Sequence, residues 1–273
     1  MTFDRAPLRD RVEWFAVFGL LDVANHLFAT IRTSWHDFGP EGALVNIGGI
    51  SAIILFAIYV IAAIGLKESD TDPGKPLDRL VLAGMAIAAF LPLAICASLA
   101  LLASGLYLFL TSQPLTRSRQ IGMMFLALTA TMLWWKLPLE IMPKPFLDLD
   151  ASLAGHLAGT RVSGNVIYNR GTSGGVVVFD GCSSLHNMSL AIVLWASLIC
   201  VFDLRPTGAR VLSGAIAVVA MAAINIIRLA TMAYFPSDFE YLHTGFGGTI
   251  FSMASLIAAG SIIGYGFVLA EKN

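Results

Sequence analysis

Long apolar runs separated by short polar connections dominate the chain. Clear runs cover Ala43–Leu66, Ile121–Leu139, Ser183–Phe202, Val211–Tyr234 and Gly248–Ala270. Each approaches or exceeds the ~20 apolar residues a helix needs to cross a bilayer, so five spans are expected there. Val12–Arg32 is a further, more amphipathic run that carries Asp22, Asn25 and His26; it reads as a first span, with a surface position as its alternative. Leu80–Leu110 is 31 residues long, too long for one ordinary span and short for two.

Charge placement decides between one crossing and two. Segments 1–11, 67–79, 117–119, 203–210 and 271–273 hold 3, 3, 2, 2 and 1 basic residues, 11 of the 17 in the chain, whereas 33–42 and 235–247 hold none. Lys and Arg concentrate in cytoplasmic loops. The five basic segments share one side only if Leu80–Leu110 crosses twice, with a turn near Cys96–Ser98 beyond Pro92. The expected fold is therefore an all-α polytopic membrane protein with about eight transmembrane helices and both termini cytoplasmic. The basic start (Arg5, Arg9, Arg11) suits a signal peptide, but the polar residues that follow and the lack of a small-residue cleavage pattern make it a retained helix.

Three regions follow from this pattern: about five spans over 1–139, an extracytoplasmic segment over 140–181, and three helices over 182–273. Thr160–Tyr168 and Gly175–Phe179 carry β-branched residues, with a Gly- and Asn-containing loop at 169–174 between them. That arrangement predicts a short β-hairpin running directly into Cys182.

Composition agrees with the pattern. Hydrophobic residues make up 57% and charged residues 13%, and mean hydropathy is +0.77; soluble domains carry about 25% charged residues. A soluble core is excluded, and membrane lipid, not nucleic acid, is the expected surrounding partner. Three cysteines make a poor disulfide framework. Cys182 and Cys200 lie 18 residues apart on one predicted helix, roughly 27 Å, and cannot pair. Cys96 and Cys200 read as small hydrophobes.

Arg228 interrupts the apolar run 211–235, where a charge costs roughly 2.5–3.5 kcal/mol on insertion scales. It lies six residues before Tyr234, about 9 Å below the helix end. Cys182 begins the neighbouring span on the same side, and His243 lies in the short loop before the last one. A thiolate is favoured at helix N-termini and near His or Arg. Together these residues describe acyl transfer through a thioester: Cys182 as nucleophile, His243 as acid and base, Arg228 as stabiliser of the oxyanion. Plain structural readings stand beside these. Cys182 is also readable as a helix-end residue, His243 as a solvated loop residue, and Arg228 as an interhelix ion pair or lipid headgroup contact. Asn225 either orients Arg228 or mediates helix packing. His186, one turn after Cys182, is a rival base.

The ordered set Gly164–Ile167, Cys182-Ser183, Asn225-Ile-Ile-Arg228 and His243 ahead of a final helix resembles the exosortase/archaeosortase family of integral-membrane cysteine transpeptidases. The resemblance covers roughly residues 155–255, and the N-terminal half agrees in hydropathy alone. It implies a membrane cysteine protease/transpeptidase of the plasma (inner) membrane, acting on its extracytoplasmic face. The implied substrates are exported proteins ending in a short motif such as Pro-Glu-Pro, a membrane helix and a basic tail, and the implied acceptor lies at the cell surface. Bacterial members often accompany exopolysaccharide production. The resemblance assigns Cys182 as nucleophile, Arg228 as transition-state stabiliser and His243 as acid/base, with no metal or organic cofactor. Ser184 departs from the glycine common two residues after the cysteine, and its hydroxyl joins Ser183, Asn225 and His186 as supporting candidates. The competing readings are a polytopic transporter, with Arg228 as an anion contact, and a non-enzymatic component of exopolysaccharide export.

Overall fold

The computed structural model describes residues 11–45, 50–67 and 72–272. Two compact units form: residues up to Leu133 together with Ala196–Arg205, and Trp134–Trp195 together with Pro206 onward.

The first unit contains α1 (Arg11–Val45), α2 (Ala52–Leu66), α3 (Asp78–Phe90), α4 (Ala94–Thr111) and α5 (Arg117–Thr129). α1 continues through the loop expected at 33–42. α2 starts at Ala52, not Ala43, because Ser51 caps it by accepting the Ile53 N–H at 3.3 Å. The long apolar segment divides at residues 91–93, earlier than the turn expected at Cys96–Ser98. Pro92 sets the break: it has no N–H to donate and disfavours helical geometry at Leu91. Ser98 lies inside α4, its hydroxyl bonded to the Ala94 carbonyl at 2.9 Å.

Arg11 gathers helix ends. Its guanidinium donates to Asp72 at 2.7 Å and to Asp78 at 3.0 Å. It also donates to Ser112 and Thr111 at 2.9 Å each. The Tyr107 hydroxyl donates to Asp78 at 2.8 Å. The start of α1, the start of α3 and the end of α4 therefore meet, so α3 and α4 run antiparallel. At Asp203, Lys67 from the end of α2 approaches at 3.4 Å and Gln120 from the start of α5 donates at 2.7 Å.

A π-helical turn (Ala130–Trp134) closes the first unit's run after α5, and α6 (Lys136–Ile141) opens the second. α7 (Pro143–Ala158) follows, so a 16-residue helix fills much of the segment expected to lie outside the bilayer. Three antiparallel strands come next, in the order β1 (Val162–Ser163), β2 (Val166–Tyr168), β3 (Gly175–Val177). β2 pairs with β3 with Tyr168 opposite Gly175. The stretch expected to be one strand over 160–168 folds back at Gly164, whose φ of +59° favours glycine. Val176 and Val178 point inward and join Ala151 and Ala154 of α7 in one buried cluster. A 3₁₀ turn (Asp180–Cys182) then enters α8 (Ser184–Val201). α9 (Gly208–Tyr234), the short α10 (Phe239–His243) and α11 (Phe246–Lys272) complete the chain.

Five helical stretches among the described residues are long and apolar enough to cross a membrane: Ala94–Thr111, Arg117–Ile141, Ser184–Val201, Gly208–Tyr234 and Phe246–Glu271.

Candidate active site

Cys182 ends the 3₁₀ turn just before α8, its N–H donating to the Phe179 carbonyl at 2.9 Å. Asp150 of α7, 6% exposed, reaches this turn across the unit. Its Oδ2 accepts the Ser183 hydroxyl at 3.1 Å and the Ser184 N–H at 2.8 Å. A carboxylate at the first turn of a helix satisfies donors that have no partner within the helix. Asn225 of α9 holds the turn from the other side, donating to the Cys182 carbonyl at 2.8 Å and to Ser184 Oγ at 3.3 Å. Asn225 thus binds the backbone of Cys182 and the side chain of Ser184.

His243 ends α10, and its Nε2 lies 3.7 Å from Cys182 Sγ. Phe239, one turn earlier, stacks on the imidazole with centroids 5.1 Å apart and planes 18° apart. Arg228 secures the same segment: Nε donates to the Leu242 carbonyl at 3.2 Å and Nη2 to the His243 carbonyl at 2.6 Å. Gly248 completes the corner, because a Cβ there would come within 3.0 Å of the His243 carbonyl.

Burial pushes the Cys182 thiol above its ordinary pKa, and the nearby Arg228 charge and the Phe179 backbone hydrogen bond oppose that shift without cancelling it. The same burial opposes the helix-favoured thiolate that the position suggests.

His186 makes other contacts. Its ring meets the edge of Trp135 at 4.8 Å, and its buried Nδ1 has no hydrogen-bond partner among the described residues. The structure therefore brings Cys182, His243, Arg228, Asn225, Ser183 and Ser184 together and leaves His186 against Trp135. Asp150 was not among the residues that sequence reasoning singled out. Its link to Ser184 spans 34 positions, and the only local signal is an acid on the predicted extramembrane segment.

A family model described as transmembrane exosortase matches residues 42–260. The chain belongs to the transmembrane exosortase family. No curated protein and no solved structure matches the chain. Membership and the apolar helices together make this exosortase a multi-pass membrane protein.

Proposed function

We propose that this exosortase is a membrane-embedded cysteine protease/transpeptidase that cleaves C-terminal sorting signals of exported proteins and passes the new C-terminus to a surface acceptor. The observation that carries the reading is the 3.7 Å approach of His243 Nε2 to Cys182 Sγ, on a histidine whose carbonyl Arg228 holds.

The chemistry runs as two acyl transfers. His243 takes the thiol proton as Sγ attacks the scissile carbonyl carbon, and the carbonyl oxygen becomes an oxyanion. The Arg228 guanidinium, whose charge acts on Cys182, is the positive charge available to it. The C–N bond then breaks, the leaving amine takes the proton from His243, and a thioester remains on Cys182. An acceptor amine, hydroxyl or water gives its proton to His243 and attacks the thioester, which releases the product and restores the thiol.

The same reading places the site on the extracytoplasmic face. The antiparallel α3–α4 pair supports two crossings between residues 78 and 111, and so an eight-helix topology with both termini cytoplasmic. α8 has 18 residues, about 27 Å, so its crossing puts Cys182 on the face opposite the basic 203–210 segment.

Alanine at Cys182, Arg228 or His243 is expected to abolish processing of a co-expressed reporter carrying Pro-Glu-Pro, an apolar span and an Arg-rich tail, with the protein still in the membrane. Undiminished processing by the Cys182→Ala chain would overturn the mechanism, and would favour a transporter or assembly role that needs no thiol.

A further inference from the structure

β3 is an edge strand. Val178 and Gly174 face β2 in the ladder: the Val178 N–H donates to the Asn165 carbonyl at 2.9 Å and the Asn169 N–H to the Gly174 carbonyl at 3.0 Å. Backbone groups alternate along a strand, so Gly175 and Val177 direct their N–H and C=O groups away from β2. No partner for them exists among the described residues. Edges left in this state are templates for pairing, and proteins commonly blunt them with lysine, proline or an inward charge. β3 carries none of these. Its outward side chains are apolar and open instead: Val177 is 38% exposed and Phe179, just beyond the strand, 65%. Gly175 adds no side chain, and a Cβ there would strike the Ile167 carbonyl at 2.8 Å. The strand then runs through Phe179 into the turn that ends at the nucleophile, five residues after Val177.

We propose that β3 is the docking edge for substrate: an extended segment of the polypeptide to be cleaved pairs with Gly175 and Val177 as a fourth strand and is thereby led to Cys182. This deepens the cleavage reading above and rests on it. Strand addition suits a site that must accept many exported proteins. The backbone supplies the hydrogen bonds whatever the sequence, and alternate side chains meet the apolar surface of Val177 and Phe179.

The test combines a cross-link and a rate. Val177→Cys is placed in a chain with Cys96, Cys182 and Cys200 all changed to Ala. It is expressed with the sorting-signal reporter, whose single Cys is walked through the residues preceding its apolar span. Oxidation is expected to form a disulfide at one reporter position, more weakly at the positions two residues to either side, and not at those between. Separately, Val177→Pro removes an N–H outside the β2 ladder. It is expected to raise the KM of reporter processing about 3- to 10-fold, with kcat within about twofold and Cys182 alkylation by iodoacetamide unchanged. Disulfides at all reporter positions alike, or none while the wild-type enzyme processes the reporter, would overturn the docking edge. So would disulfides between two copies of the Val177→Cys chain. A wild-type enzyme that leaves the reporter whole would remove the cleavage reading and the docking edge together.

Discussion

A thiol 3.7 Å from an imidazole either rests as an ion pair or keeps its proton until substrate arrives. Burial pushes Cys182 up, against the pull of Arg228, which favours the second case. A raised folded-state pKa means the thiolate appears only as pH climbs through that higher value. In a chain with Cys96 and Cys200 changed to Ala, iodoacetamide alkylation of Cys182 should rise through a midpoint above the ~8.5 of a free thiol. Arg228→Ala should move that midpoint further up; a midpoint below neutrality would show a preformed thiolate. Asp150→Ala leaves the Ser184 N–H and Ser183 hydroxyl buried without an acceptor, a loss of about 1–3 kcal/mol, and frees the turn that aims Sγ. The expected outcome is a fall in kcat of tenfold or more, with partial rescue by Asn; unchanged kcat would limit Asp150 to a structural role. Cys182, Arg228 and His243 were legible in the sequence because reactive groups stand out against apolar runs. Asp150 was not, because one acid beside Asp148 carries no mark of the long-range contact that gives it meaning.

Helix boundaries followed local chemistry where that chemistry is strong. Pro92 ends α3, yet the sequence pattern placed the turn several residues later, because apolar residues continue on both sides of the proline and hydropathy alone marks no break. α7 was hidden for the opposite reason: its charged and polar positions look extramembrane, and only folding shows Ala151 and Ala154 buried beneath the sheet. The π-helical turn at Ala130–Trp134 leaves no trace in composition. Double crossing by α3 and α4 has a direct check. Leu93, 52% exposed in the connection between them, is replaced by Cys in a chain whose own cysteines are Ala. A membrane-impermeant maleimide should label it on intact cells, and labelling only after the membrane is opened would contradict the eight-helix topology.

At the scale of the whole molecule, counting basic residues yielded a topology although one of those counted does not act as a free charge. Arg11 is 5% exposed and shared among two aspartates and two hydroxyls. Removing one partner of such a buried group strands the others, which costs about 3–5 kcal/mol. Arg11→Ala should therefore lower the unfolding temperature in detergent markedly, and a wild-type transition would mean that the cluster contributes little. The proposed catalysis turns on a thioester at Cys182. Intact-mass analysis of the purified exosortase mixed with the sorting-signal reporter, quenched within a turnover, reads that bond directly. The predicted result is an adduct on Cys182 with the mass of the reporter's N-terminal fragment, released by hydroxylamine and absent from the Cys182→Ala and His243→Ala chains. Cleaved reporter with no adduct on the wild-type enzyme, or cleavage by the Cys182→Ala chain, would contradict it.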